Sequence, residues 1–300
     1  MENPMAYRTI LLATDLSPSA ERAAELARSL ARRDGATLHV LHVNVLSAEQ
    51  LQYRGLSGIE AYALQVVQAC RNTLEDFKDE PGLTLVRAVR NDQSPANAIL
   101  DYAEEQQADL IVVGSRGLSA VKRFLLGSVA SKVVHAAACS VLVAGQDLQE
   151  DAKGEGAGSL RRIVASTDLS EASKSGLQQA DALAQAHGAA LSIVHVMVPP
   201  MVNPYDVEII ARRMDLDSGR RALAEFVEGL ALRSEATQTV SLGLADQEIV
   251  AAAEAQQADL LVVSSTGMSA MGRLLLGSVA DKVVRRAHCP VLVHRAQVPA

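Results

Sequence analysis

Residues 109–143 read DLIVVGSRGLSAVKRFLLGSVASKVVHAAACSVLV, and residues 259–293 read DLLVVSSTGMSAMGRLLLGSVADKVVRRAHCPVLV. Aligned without a gap, 23 of these 35 positions are identical, too many for shared composition. Each stretch opens on an unbroken apolar run, Leu110–Val113 or Leu260–Val263, of the kind that forms a strand covered on both faces. A glycine-containing turn, a helical segment and a second apolar run follow. Strands that alternate with helices in this way imply parallel pairing through right-handed crossovers.

Outward from these stretches the duplication continues. Ile10–Ser17 (ILLATDLS) and Ile163–Ser170 (IVASTDLS) match near the start of each half. The period of about 150 residues is too long for a solenoid unit, so each copy is a whole domain. The expected division is a first domain over 1–146, a flexible linker over 147–159 and a second domain over 160–300. Gly154, Gly156 and Gly158 lie in that linker, follow no compact βα turn and lack the full dinucleotide spacing.

Within the first copy, Arg8–Thr14 reads as a buried strand. Ser17 is placed to cap the next helix, with Pro18 in its first turn. Ala20, Ala23, Ala24, Ala27, Leu30 and Ala31 then give a helical apolar stripe. Ala36–Val45 is a second strand, 58–78 a helix and Leu83–Val89 a third strand. Ser94-Pro95 opens the next helix, Leu110–Val113 is the fourth strand, Gly127–Ala137 is helical, and Ser140–Ala144 closes the copy. The second copy follows the same order. The expected fold is α/β, two similar domains, each a five-stranded open parallel sheet with helices on both faces. Ligands of such sheets bind beyond the carboxyl ends of the strands, near a topological switch point.

Composition narrows the function. A net charge of −7 argues against general affinity for nucleic-acid backbones or anionic lipid. Aromatic residues are only 3% and Trp is absent, which leaves few platforms for base stacking. No apolar run approaches the roughly 20 residues that a bilayer span needs. With no signal-peptide layout at 1–8, the expected location is the cytoplasm. Cys70, Cys139 and Cys289 form no CxxC pair, and Cys139 and Cys289 read as buried structural thiols. His39 and His42 lie three apart on a strand and point to opposite faces, so they share no metal. His42 and His195 occupy matching places and read as structural or site-lining. No metal site is expected.

The chemistry sits after the fourth strand: Gly114-Ser115-Arg116-Gly117, nine further residues, then Gly127-Ser128. The glycines let backbone amides approach a ligand without an intervening Cβ. Gly127 and Ser128 open a helix whose unpaired N–H groups and positive dipole end favour an anion such as phosphate. Arg116, Lys122 and Arg123 add positive charge. From the glycines alone, an empty packing turn remains the alternative.

The segment Val113–Val143 resembles the C-terminal signature of the universal stress protein family, whose ATP-binding members carry G-x-x-G-x9-G-[S/T]. Gly114, Gly117, Gly127 and Ser128 match every position, and Thr14-Asp15-Leu16-Ser17 resembles the family's other hallmark. The resemblance covers nearly all of both copies. It implies a fold of the adenine nucleotide alpha hydrolase-like, Rossmann-like kind and ATP as ligand, with or without magnesium. It assigns Asp15 to the nucleoside, Leu41–Val43 to the adenine wall and the loop to the phosphates. It also implies a role in stress response, an unknown protein partner, and fifth strands (Val141–Val143, Val291–Val293) pairing antiparallel to make an intrachain pseudo-dimer. Association of two chains is left open.

The second copy keeps Asp168, Gly267, Gly277 and Ser278 but has Ser264 where the first has Gly114. It also has Thr266 for Arg116 and Gly272 for Lys122, leaving Arg273 as that loop's one basic residue. A serine in place of that glycine is expected to strain a positive φ or to intrude on the ligand, giving a weak, empty or altered second site. No GxSxG elbow, HExxH helix or Walker lysine is present, which suits binding rather than rapid turnover. A nucleotide-independent interaction module and a slow ATPase or autophosphorylating protein are the alternatives.

Overall fold

The computed structural model describes residues 5–17, 20–45, 65, 67–70, 72, 74–75, 77–115, 126–145, 160–199, 215–265 and 276–296. They form two compact units, built on Ala6–Ala144 and on Ser159–Ala300. The first contains β1 (Thr9–Thr14), α1 (Glu21–Asp34), β2 (Thr37–Val45), β3 (Thr84–Asp92), α2 (Pro95–Glu105), β4 (Leu110–Gly114), α3 (Ser128–Ala136) and β5 (Ser140–Ala144). The second repeats this as β6 (Arg162–Thr167), α4 (Glu171–His187), β7 (Ala190–Met197), α5 (Leu216–Glu228), β8 (Ala236–Leu242), α6 (Ala245–Ala255), β9 (Leu260–Ser264), α7 (Ser278–Arg286) and β10 (Val291–His294). In the predicted helix at 58–78, Gln65, Val67–Cys70, Asn72, Leu74 and Glu75 are helical.

Every strand pair within a unit is parallel, in the order β3-β2-β1-β4-β5 and its repeat β8-β7-β6-β9-β10. The chain moves outward from β1 to β3, then crosses back to β4 and β5. With right-handed crossovers, α1 therefore covers one face, and α2 and α3, which pack together, cover the other. Coverage on both sides explains why Leu110–Val113 and Leu260–Val263 are buried at every residue.

Local signals set the helix limits. Gly35 (φ 64°) and Gly188 (φ 61°) end α1 and α4 in the left-handed conformation that a residue without Cβ adopts without strain. Ser94 accepts the Asn97 amide at 3.5 Å, and Pro95 occupies the first position of α2. The predicted stripe Ala20, Ala23, Ala24, Ala27, Leu30 and Ala31 is buried throughout, with Leu26 beside it. Each unit also ties the entry to its first strand with one carboxylate. Asp109 accepts the amides of Arg8 and Thr9 at 2.8 and 3.2 Å, and Asp259 accepts those of Arg161 and Arg162 at 2.9 and 2.8 Å.

Two expectations are corrected. Ser17 does not cap α1: the helix starts at Glu21, behind Ala20, and the Ser17 hydroxyl is engaged elsewhere. Cys139 and Cys289 are half-buried rather than fully buried, because each stands in the turn before its strand. Among the described residues, no helix is long and apolar enough to cross a membrane, and no group of three His, Cys, Asp or Glu could hold a metal ion.

Candidate functional site

In the first unit, β1 and β4 lie side by side with Ala13 opposite Val113. The chain leaves β1 toward one face of the sheet and β4 toward the other, so a crevice opens beyond their carboxyl ends. Asp15 follows β1 there, and Gly114 and Ser115 end β4.

Asp15 is held by a local turn. Its Oδ1 accepts the Ser17 amide at 3.1 Å and the Ser17 hydroxyl at 2.6 Å. Thr14 Oγ1 accepts the Leu16 amide at 3.1 Å, and Leu16 takes a left-handed φ of 61°. A non-glycine residue there costs on the order of 1–2 kcal/mol, which the three side-chain hydrogen bonds offset. The second unit builds the same turn: Asp168 Oδ1 takes the Ser170 amide at 3.1 Å and hydroxyl at 2.5 Å, with Leu169 at φ 62°. His42 Nδ1 lies 3.0 Å from the Thr14 carbonyl oxygen and His195 Nδ1 3.0 Å from that of Thr167. A carbonyl only accepts, so each ring carries its proton on Nδ1. Histidines in matched places, structural or site-lining, are what the duplication suggested. The carbonyl that fixes each ring became visible only from the strand register, Thr14 opposite His42 and Thr167 opposite His195.

Beyond β4, Ser115 donates its amide to the Ala144 carbonyl at 3.1 Å, and its own carbonyl accepts the Gly127 amide at 2.8 Å. The two ends of the intervening loop are thereby pinned together. Gly127 precedes α3 in extended backbone (φ −60°, ψ 151°) and offers no side-chain cap, and the first turn holds no acidic residue. The first intrahelical bond is from the Ser131 amide to the Gly127 carbonyl at 2.9 Å. The amides of Ser128, Val129 and Ala130 thus have no acceptor within the helix, and Ser128 itself is exposed. Amides without an intrahelical acceptor at the positive end of a helix can take an anion, and a carboxylate can accept from the hydroxyl donors of a ligand.

Asp15, Gly114, Gly127 and Ser128 therefore all follow the carboxyl ends of the adjacent strands β1 and β4. Leu41 is completely buried, whereas Val43 is partly exposed nearer the end of β2. Arg116, Gly117, Lys122 and Arg123 lie outside the described residues, as do Pro18, the linker 147–159, and Thr266, Gly267, Gly272 and Arg273 of the second copy.

The second unit repeats the clamp: Ser265 donates to the His294 carbonyl at 2.9 Å, and Gly277 to the Ser265 carbonyl at 2.7 Å. Ser264 behaves differently from expectation. It has no positive φ, and neither has Gly114. Its hydroxyl points at α4, where a Cβ built on Gly176 would lie 2.6 Å from the Ser264 Oγ. The residue matching Gly176 in the first unit is Ala23. The two units thus exchange bulk between strand end and helix, Gly114 with Ala23 and Ser264 with Gly176, so Ser264 neither strains its backbone nor aims away from α4 into the mouth. The exchange was legible only as a pair, which the alignment of one motif does not reveal.

The sequence model described as "Universal stress protein family" matches residues 6–145 and again 159–295. A universal stress protein of Mycolicibacterium smegmatis is 28% identical over 298 residues, 95% of this chain and 96% of that protein. One from Thermus aquaticus is 36% identical over 138 residues, 45% of this chain and 98% of its own length. Among solved structures, a universal stress protein from Archaeoglobus fulgidus superposes with a TM-score of 0.63 at 22% identity, covering 97% of this chain and 96% of its own. A putative one from Pseudomonas aeruginosa gives 0.65 at 20%, covering 98% and 95%. At these identities the superpositions show a shared fold.

Proposed function

The chain belongs to the universal stress protein family, and we propose that it is an ATP-binding member acting in a cytoplasmic stress response, with the nucleotide held mainly by its first unit. The observation that carries this reading is the start of α3, without a side-chain cap and pinned to the end of β4, the strand that lies beside β1 and its Asp15 turn. Gly114, Arg116, Gly117, Gly127 and Ser128 would hold the phosphates, Asp15 the ribose hydroxyls, and Val43 above the buried Leu41 the adenine. In the second unit Asp168, Gly267, Gly277 and Ser278 form the corresponding weaker site. Occupancy would act by favouring one of two conformations or partner states, which requires different affinity for each.

Titration of ATP in a thermal-shift assay tests this. A ligand that binds only the folded state adds RT ln(1 + [L]/Kd), about 2.7 kcal/mol at a hundredfold excess over Kd. Ser128→Ala removes a hydrogen bond to a charged group, worth roughly 1.5–3 kcal/mol, so Kd should rise at least tenfold. No response of the wild-type chain at millimolar ATP would favour a nucleotide-independent interaction module instead.

A further inference from the structure

We infer that the outer edge of β8 is a docking surface for a second copy of this chain, which adds its own β8 antiparallel across a two-fold axis. This edge lies away from the strand-end crevice, so the surface and the nucleotide reading stand or fall separately.

β8 ends the strand order of its unit and pairs, among the described residues, only with β7. Gly243 donates its amide to the Met197 carbonyl at 3.1 Å, so alternation turns the amides of Thr237, Thr239 and Ser241 toward β7 as well. The amides of Gln238 and Val240 then point outward. Such a row is a template for another strand, and proteins usually blunt it with charge, proline or a bulge. β8 reads ATQTVSL, without a charge or a proline, and Thr237, Gln238 and Thr239 are exposed. The first unit keeps the protection: in the register of the two sheets, Arg87 of β3 stands where β8 has Gln238. The Arg87 guanidinium donates to the carbonyls of Leu74 and Phe77 and to Asp79, which fixes a positive charge at that edge.

The helix over β8 says which partner fits. α5 packs chiefly on β8 and less on β7. A Cβ built on Gly219 would lie 3.0 Å from Val240 Cγ1, which fixes the level of the helix against the strand. Lys174 Nζ of α4 lies 5.8 Å from the Phe226 ring centre, so that flank of α5 faces α4. The opposite flank carries Arg220, Ala224 and Glu228, spaced one turn apart and all exposed. Among the described residues, Arg220 pairs with Asp217 at 2.7 Å, and Glu228 has no ion-pair partner. α5 runs back against β8, so Ala224 lies about 7.5 Å past Gly219 in the direction in which Gln238 lies about 6.6 Å past Val240. A two-fold axis through Gln238 therefore also passes Ala224. It sets Arg220 of each copy against Glu228 of the other, with the small Ala224 between, and Thr237 opposite the other copy's Thr239. Opposite charges and Thr–Thr pairs are both favourable across such a contact. The same axis through β3 would set Arg87 against its own copy.

Sedimentation velocity of the full chain over a concentration series, with hydrogen exchange of β8 peptides followed in parallel, decides the matter. The wild-type chain should dimerise, and β8 should gain protection as the dimer fills. Gln238→Arg writes the first unit's residue at the axis and should raise the dimer dissociation constant about tenfold or more; circular dichroism checks its fold. Glu228→Arg should weaken the dimer about 3–10-fold at low salt. Adding Arg220→Glu to it should bring the affinity back, because each pair is then opposite in sign again. Only a copy of the same chain carries both halves of that swap. A chain that stays monomeric, even if another protein covers its β8, overturns the inference. So does a dimer that is indifferent to Gln238→Arg or leaves β8 unprotected, and so does a double swap that fails to recover what Glu228→Arg lost.

Discussion

At the scale of single residues, the site is governed by small volumes and short bonds that act in pairs. The Ser264 Oγ is buried beside Gly176, which leaves room for it, and has no hydrogen-bond partner among the described residues. Gly176→Ala by itself gains about 0.5–1 kcal/mol of helix propensity but sets a methyl 2.6 Å from that oxygen. Overpacking of this kind costs typically 1–3 kcal/mol, less if the hydroxyl rotates aside. The expected outcome is that Gly176→Ala is neutral or destabilising alone and stabilising by about 0.5–1 kcal/mol in a Ser264→Gly background. A double-mutant cycle in urea, with a coupling of about 1 kcal/mol, checks it; additivity would show that the two positions do not share space. The same logic explains what the sequence concealed. The Asp-Leu-Ser turn is readable from its residue types, yet Ser17 is no cap of α1, because that helix begins only at Glu21 and the serine belongs to the turn, where its amide and hydroxyl donate to Asp15. The φ of Ser264 could not be read from its residue type, since a glycine can serve close packing as readily as a left-handed turn.

At the scale of elements, strands and helices were legible because burial on both sheet faces writes itself into unbroken apolar runs, and Gly35, Gly188 and Pro95 punctuate the helices. Strand ends moved by a residue or a few where polar residues continue the ladder, as in β3, which runs on through Arg90, Asn91 and Asp92. The start of α3 was legible as a phosphate-type motif, but its electrical contrast with α7 was not, because Asp281 matters only once it is seen in a first turn. This contrast carries a prediction. Ser131→Asp writes the second unit's carboxylate into the first turn of α3. A charge of that sign at a helix start opposes a bound anion by about 0.3–1 kcal/mol at low ionic strength. ATP affinity should fall roughly 2–5-fold at low salt, and the difference should shrink as salt is raised and the charge is screened. Ser131→Asn, similar in shape and neutral, should leave affinity nearly unchanged. An equal loss from both substitutions would assign the effect to sterics.

At the scale of the whole molecule, one scaffold used twice has been given different electrostatics, and this extends to its response to acid. His294, at the end of β10, stands where the first unit has Ala144, and it is 7% exposed. Burial pushes its pKa from 6.5 down to about 4. Burial also lowers that of His39 in the first unit, whose Nδ1 lies 3.0 Å from the Tyr102 hydroxyl. A histidine held neutral by the fold binds its proton more readily when unfolded, so stability rises with pH across the interval between the two pKa values. For His294 that contribution is fully present above about pH 6.5 and is lost as pH falls toward 4, amounting to at most about 3 kcal/mol. Hydrogen exchange read by mass spectrometry follows peptides of β6 and β9 separately from those of β1 and β4, so the units need not unfold together for the comparison to be made. Protection of β6 and β9 should decline between pH 6.5 and 4, after correction for the intrinsic exchange rate. His294→Ala should lower their protection at pH 7 through the cavity it leaves, and flatten the decline below pH 6.5. A variant whose β6 and β9 lose protection with acid as steeply as the wild type would show that this histidine is not the group the second unit keeps neutral.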